Sequence, residues 1–409
     1  MYECANMSQP LKLTVYAGHE TTLRSWDEAG LLERELKPYR RLQSRDVKVS
    51  LVTYGGPEEL QYANRMPDIE ILCNRFGLPN KTYLRRVHQA HGLALLRSQV
   101  LKAHSTTALI SALRAHWAWQ VPFIARLSFN WSESARIKQP GNTILAQRVD
   151  DIERTTAARA SHIIAATQEI ADALTIKDPA AASKLTLIPN YVDEELFRDI
   201  HGEKHFDLVF VGRLNRHKNL AALLQSVERL GLSIAMIGGV STHVREVHDD
   251  RTYFAEIKAR FGDLNGRIHW LGRIKNEELP VYINQARAFV LCSLIEGHPR
   301  ALVEAMACGM PIIASNVFGI SNVIEHEETG YLCETDAASI ASAIEQVLSA
   351  PALMERMGAK ARQFALEHYS LSKVVQREYD LLTQVVKQHP VDSVPRRFAQ
   401  YVLRRNPRM

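Results

Sequence analysis

Short apolar runs recur along this chain, and each is followed by a stretch whose apolar positions repeat with helical spacing. That alternation confines the fold to layers of helix around parallel sheets, an α/β architecture. In the first half Leu11–Ala17 reads as a strand, Asp27–Gln43 as a helix, and Val47–Tyr54 as a strand ended by the turn Gly55-Gly56-Pro57. Arg85–Lys102 and Thr106–Trp119 carry a helical pattern, Phe123–Leu127 a strand, Ala146–Arg159 a helix and His162–Ala166 a strand. The run LTLIPNYVDEELF (Leu185–Phe197) closes this series with a short strand, a Pro-Asn turn and an acidic stretch suited to a linker. The pattern restarts at Phe206–Val211. Strands follow at Ser233–Ile237, Arg267–Leu271, Ala288–Leu291 and Pro311–Ala314, with helices at Leu220–Leu230, Asp249–Arg260, Glu277–Ala286, Ala301–Ala307 and Ile340–Leu348. Two α/β units of similar length are expected, with a ligand at the carboxyl ends of their strands.

Composition narrows the class further. A chain of 409 residues suits two domains, and 46% hydrophobic with 23% charged residues excludes a disordered chain. Five cysteines (Cys4, Cys73, Cys292, Cys308, Cys333) form an odd set without a CxxC pair, which points to reduced thiols in the cytoplasm. His243, His248 and His269 lack metal-ligand spacing. The N-terminal run has no secretory pattern, and Ala108–Leu127, the longest apolar stretch, is interrupted by Arg114, His116 and Arg126. A soluble or membrane-peripheral protein is expected.

A net charge of +5 is too small for a nucleic-acid binder, but it is unevenly spread. Lys81 to Val149 holds ten basic residues and a single acid, Glu133; Arg396, Arg397, Arg404, Arg405 and Arg408 crowd the end of the chain. Cations interleaved with Leu93, Leu95, Leu96, Val100 and Leu101 are either a solvated helix face or an amphipathic surface for an anionic membrane.

Two stretches carry chemistry. In VGRLNRHKNL (Val211–Leu220) a buried strand ends at Gly212, and Arg213 and Lys218 follow before a helix. Glycine admits close backbone approach, and a guanidinium with an ammonium suits a diphosphate; the alternative is a solvated loop with two surface cations. In SLIEGHPRALVEAMACGMPIIAS (Ser293–Ser315) a polar loop with Glu296 and His298 enters a helix through Pro299. The amides of Arg300, Ala301 and Leu302 at its first turn form an anion site. Glu296 before it and Glu304 inside it flank that site, and carboxylates beside an anion suit the hydroxyls of a sugar or ribose. An ordinary helix with an exposed Glu is the other reading. No GxGxxG follows a strand.

Taken together, VGRLNRHKNL, the Glu296/Glu304 pair within EGHPRALVEAMACGMPIIAS, and FGISNVIEHEETGYL (Phe318–Leu332) resemble the donor half of a family 4 retaining glycosyltransferase. ASHIIAATQEIADAL and KLTLIPNYVDEELF are similar to that family's interdomain run. WDEAGLLERELKPYRRLQ with VSLVTYGG, and PFIARLSFNWSESA, are reminiscent of a bacterial branch that builds surface polysaccharides. The resemblance implies a GT-B fold of two facing Rossmann-like domains. Residues 1–195, joined by 370–409 crossing back, would bind the acceptor, and 196–369 the nucleotide-sugar. It implies transfer of a hexose from a UDP- or GDP-linked donor to a lipid-linked glycan acceptor, with retention of configuration.

Position by position, the resemblance has Gly212, Arg213 and Lys218 hold the diphosphate and stabilise the departing nucleotide. Glu296 would face the transferred sugar, Glu304 the ribose, the amides of Arg300–Leu302 the phosphate, and Arg273-Ile274 the base, with His298 also among the donor-binding residues. No metal and no further cofactor are implied. The family often has Gly-Gly after the first strand, where this chain has Gly18, and Glu where it has Asn322. A His of the first domain often faces the reacting sugar, and His104 is the candidate. The fold also serves phosphorylases and synthases of soluble sugar phosphates, and non-catalytic scaffold subunits.

Overall fold

The first run, Leu11–Tyr16 (β1), lies beside Val47–Val52 (β2), and the two are in parallel register from Leu11↔Val47 to Tyr16↔Val52. Ile69–Leu72 (β3), Val100–Ala103 (β4), Phe123–Leu127 (β5), His162–Ala165 (β6) and Leu185–Leu187 (β7) complete a parallel sheet of order 3-2-1-4-5-6-7. Phe206–Val211 (β8), Ile234–Ile237 (β9), Ile268–Gly272 (β10), Ala286–Leu291 (β11), Ile312–Ser315 (β12) and Tyr331–Cys333 (β13) form a second, of order 10-9-8-11-12-13. This computed structural model describes residues 9–19, 21–138, 141–240 and 244–405; Cys4, His243 and Arg408 lie outside them.

Each sheet reverses its order once, between β1 and β4 and between β8 and β11. Loops leaving such a switch point turn to opposite faces and open a crevice at the strand ends. The strands lining both crevices are long enough to bury continuous apolar runs such as Leu208–Phe210 and Ala288–Val290. A fully buried Leu, Val, Ile or Phe contributes roughly 1.5–3 kcal/mol each.

Two expected elements differ. The helix expected over Arg85–Lys102 is instead Asn80–Ala90 and Gly92–Arg97, followed by β4. Val100–Ala103 is fully buried between β1 and β5, so ladder pairing overrides its helical periodicity. The Ser98 and Thr14 hydroxyls bond at 2.6 Å and pin the entry to the strand. The helix expected over Asp27–Gln43 is broken into Leu23–Glu28 and Leu32–Gln43, where Gly30 takes a φ of 69°. Asn276 of the second unit donates to the Gly30 carbonyl at 3.3 Å, so the break serves an interdomain contact.

The chain crosses between the units twice, side by side. The Val192 amide donates to the Tyr369 carbonyl and the Leu371 amide to the Val192 carbonyl, both at 2.8 Å. The helix Leu371–Gln388 then buries Leu371, Val374, Leu381, Leu382 and Val385 in the core of the first unit. Glu378 on its inner face pairs with Lys102 of β4. The final helix, Val394–Arg405, lies on the first unit, with the Tyr401 ring stacked on Trp119 at 4.1 Å.

Candidate active site

The second unit's crevice has a floor of glycine. Gly212 follows β8, and Gly238 follows β9 with a φ of 142°; a Cβ on Gly238 would collide with the Gly212 carbonyl. The Gly238 amide donates to Gly272 at 2.7 Å and the Leu214 amide to Gly239 at 3.1 Å, so three strand ends are drawn together. The Arg273 side chain lies over Gly239, where a Cβ would meet its Nε at 2.9 Å, and its guanidinium donates to the Val240 carbonyl. Partial burial, and then the neighbouring Arg213 guanidinium, hold the Arg273 pKa below the ordinary value. Two neighbouring guanidiniums beside a floor without side chains make a place for an anion. The Gly238-Gly239 pair was not singled out in the sequence, although its position directly after the expected strand Ser233–Ile237 is the signal that would have found it.

Lys218 and Glu296 form an ion pair, each side chain largely buried, and the Ser293 hydroxyl donates to Glu296 at 2.6 Å. The Glu296 amide is held by the Phe318 carbonyl at 3.1 Å. Gly319, with a φ of 82°, passes so close under this loop that a Cβ would strike the carbonyls of Glu296 and Gly297. The helix Arg300–Ala307 starts at Pro299 with no side-chain cap. Its first-turn amides are therefore the groups a bound anion would satisfy. Leu302 is fully buried and Ala301 packs on the core, so only their backbone can serve a ligand. Ile274 likewise packs against that core.

Glu304 is buried one turn into the helix, 3.2 Å from the Asn276 amide nitrogen and 3.6 Å from the Arg34 guanidinium of the first unit. Arg34 belongs to a cluster that the sequence did not reveal. Its neighbour Glu35 accepts from Arg34 and from Arg300, each at 2.9 Å, and meets His104 Nε2 at 2.9 Å. His104 Nδ1 bonds the Tyr39 hydroxyl at 2.6 Å. Burial alone would raise the Glu35 pKa, but Arg300, Arg34 and His104 outweigh it and hold the carboxyl well below its usual range. Pro38 inside the same helix lacks the N–H that would bond the Arg34 carbonyl, and the Tyr191 hydroxyl of the linker takes that place.

The two candidate histidines sit in different surroundings. His104 has both ring nitrogens engaged by Glu35 and Tyr39, and burial outweighs the Glu35 bond in lowering its pKa. A sugar would reach a ring nitrogen of His104 only by displacing one of these partners. The His298 ring is buried edge-on to Tyr369 at 4.9 Å, and among the described residues neither nitrogen has a hydrogen-bond partner. Burial, with Arg126 and Arg300 nearby, pushes its pKa down to about 3. Its contribution is the backbone: the Asn190 side chain, itself held by Arg126 at 3.2 Å, donates to the His298 carbonyl at 2.8 Å.

On the first unit Gly18 follows β1, and a Cβ there would meet the hydroxyls of Thr107 and Thr21 at 2.8 and 2.9 Å. The units touch on this side too. A Cβ on Gly297 would collide with the Ser128 carbonyl, and the Gly319 amide donates to Glu169 at 3.2 Å. Asn322 bonds the same Glu169, so its side chain joins the interdomain contact. No group of three or more His, Cys, Asp or Glu among the described residues is placed to hold a metal ion.

Two family models match the chain: "Glycosyltransferase Family 4" over residues 39–196 and "Glycosyl transferases group 1" over 192–364. N-acetyl-alpha-D-glucosaminyl L-malate synthase of Bacillus anthracis is 35% identical over 124 residues, covering 29% of this chain and 32% of that one. O-antigen chain mannosyltransferase B of Escherichia coli is 30% identical over 166 residues, covering 39% and 42%. The matched stretch thus spans about a third of the first of these curated relatives and about two fifths of the second. Among solved structures, Anabaena HepE in complex with UDP and glucose superposes with a TM-score of 0.73 at 17% identity, covering 91% of this chain and all of that one. At that identity the likeness speaks for the fold alone.

Proposed function

This chain belongs to the family 4 glycosyltransferases and has their GT-B fold, and on that premise we propose that it moves a hexose from a UDP- or GDP-linked donor to a lipid-linked glycan. The transfer retains the anomeric configuration and serves assembly of a cell-surface polysaccharide. It takes place in the cytoplasm, at the inner face of the plasma membrane. Residues 1–195 with 370–409 hold the acceptor and 196–369 the donor. The likeness to an O-antigen mannosyltransferase supports the polysaccharide role.

The observation that carries the reading is the glycine floor of Gly212, Gly238 and Gly239 with Arg273 over it and Arg213 next in chain to Gly212, beside the Lys218–Glu296 pair and the start of the helix Arg300–Ala307. A nucleotide diphosphate across that floor neutralises both guanidiniums and meets the helix amides. It also competes for Lys218, which leaves Glu296 to accept from hydroxyls of the transferred sugar. Glu304 accepts from the ribose, and Arg273-Ile274 flank the base. The acceptor hydroxyl attacks the anomeric carbon on the face from which the nucleotide leaves. As the carbon–phosphate-oxygen bond breaks and the new glycosidic bond forms, the acceptor proton passes to the departing phosphate. Three cations and a helix dipole supply the neutralisation a metal would otherwise provide, so transfer proceeds without metal or other cofactor.

A thermal-shift series with UDP, GDP, ADP, CDP and their sugar conjugates tests the reading, because ligand bound to the folded state raises stability as RT ln(1 + [L]/Kd). A shift confined to one nucleotide, lost in Glu304→Ala, is expected. The anomer first formed, followed by NMR in the presence of EDTA, reports configuration and metal dependence together. No shift with any nucleotide, or an inverted product, refutes the proposal.

A further inference from the structure

The proposed transfer leaves a buried charge of the first unit without a task. β5 is an inner strand, paired with β4 and β6, and such strands are normally hydrocarbon throughout. Its sequence, FIARL, sets Arg126 in that run, only 8% exposed. A guanidinium so far from water is costly unless an anion meets it.

Among the described residues no carboxylate does so. The Arg126 Nη2 donates to the Pro189 carbonyl at 3.0 Å and to the Asn190 side-chain oxygen at 3.2 Å, both neutral. Its Nε and Nη1 have no acceptor among the described residues, and neither atom is sealed from solvent. The carboxylates whose field reaches it are already engaged: Glu378 pairs with Lys102, and Glu35 is shared by Arg34, Arg300 and His104. Burial lowers the Arg126 pKa in spite of Glu378, and Arg300 adds to the effect.

The surroundings of this guanidinium name what would meet it. β5 runs on to Ser128, whose carbonyl a Cβ on Gly297 would strike, so the strand ends against the loop that carries Glu296. Asn190, held by Arg126, donates to the His298 carbonyl of the same loop at 2.8 Å. The His298 ring nearby is buried with neither nitrogen partnered among the described residues, a second polar group at this corner that lacks its acceptor. In the proposed transfer Glu296 faces the transferred sugar, while the diphosphate is met by Arg213, Arg273, Lys218 and the helix amides. What remains for Arg126 is an anion carried by the sugar itself.

We propose that the transferred sugar is a hexuronic acid whose C6 carboxylate is received by Arg126, which rests on the proposed transfer and narrows its hexose to the acidic members of that class. The carboxylate would accept charge-assisted hydrogen bonds from Nε and Nη1 where little water competes. It would also neutralise a buried cation that the protein itself leaves open. A neutral hexose would leave that guanidinium desolvated and unmet, so the site rejects it as well as holding it less firmly.

Calorimetric titration of the full-length protein compares sugar nucleotides that differ only at C6: UDP-glucose with UDP-glucuronate, UDP-galactose with UDP-galacturonate, and GDP-mannose with GDP-mannuronate. In the pair with the matching base and sugar, the acid should bind at least about tenfold more tightly. That preference should persist as salt rises, because a buried pair is screened little. Arg126→Gln should erase it by weakening the acid alone, with free UDP or GDP bound as in the parent, which reports a folded donor unit. Arg126→Lys, which keeps the charge but not the geometry, should retain only part of it. Equal binding of acid and neutral sugar in every pair overturns the inference and leaves the transferase standing, provided the free nucleotide still binds. A preference that survives undiminished in Arg126→Gln or Arg126→Lys overturns it too. A protein that binds no nucleotide in any form sinks the transferase and this inference together.

Discussion

Glu35 is the carboxylate on which the two units close, and its removal should separate them. It is buried, shared by Arg34 and Arg300 at 2.9 Å each, and bonded to His104 at 2.9 Å. Deleting one partner of a buried ion pair costs about 3–5 kcal/mol, because the remaining charge is left desolvated. Arg34 in Glu35→Ala retains Glu304 at 3.6 Å, which argues for the lower end, about 3 kcal/mol. The cheapest response is not unfolding but opening, since separated units let water reach Arg300. Small-angle scattering should therefore show a larger radius of gyration for Glu35→Ala, kcat should fall, and nucleotide affinity, held by the second unit, should change little. Glu35→Gln should lie between, because the amide still accepts from Arg300 and donates to His104. The Glu35 pKa is depressed in the folded state, so its stabilisation is complete above the unfolded carboxyl value of about 4.3 and fades as pH falls towards the depressed one. A Glu35→Ala enzyme with parental radius, melting temperature and kcat would refute this reasoning.

Other outcomes follow from single features of the site. Arg213→Ala should lower kcat by roughly 10²–10³-fold with the fold intact, by analogy with other groups that stabilise transition-state charge; steady-state kinetics and circular dichroism check both halves. His298 is held neutral with a pKa near 3 against an ordinary 6.5, so the unfolded chain binds its proton first and stability should rise with pH across that interval. Melting curves of the parent and His298→Phe over that range should diverge at the acid end, and parallel curves would count against it. Gly319→Ala must adopt a φ of 82° and collides with two carbonyls. A loss of roughly 1–3 kcal/mol and a weaker nucleotide shift are expected, and an unchanged melting temperature would show that the loop yields freely.

Much of this protein was legible in one dimension. The innermost strands are buried on both faces, so Leu208–Val211 and Phe123–Ala125 stand out as unbroken apolar runs. The spacing of Arg213 to Lys218 and of Glu296 to Glu304 also survives in sequence, because each pair is held by one local turn and one helix. Strand β4 was not legible: four residues carry too little pattern, and only pairing between β1 and β5 selects the extended form.

What decided the rest was distance along the chain. Glu35 sits in a run of alternating charges indistinguishable from any solvated helix, and its partners lie at positions 104 and 300. The employment of His104 by Tyr39 and the burial of His298 against Tyr369 likewise exist only once remote segments meet. Local turns and periodicities are properties of neighbouring residues and so are written in the sequence itself. A charge shared between two domains is a property of their closure, and only the tertiary structure contains it.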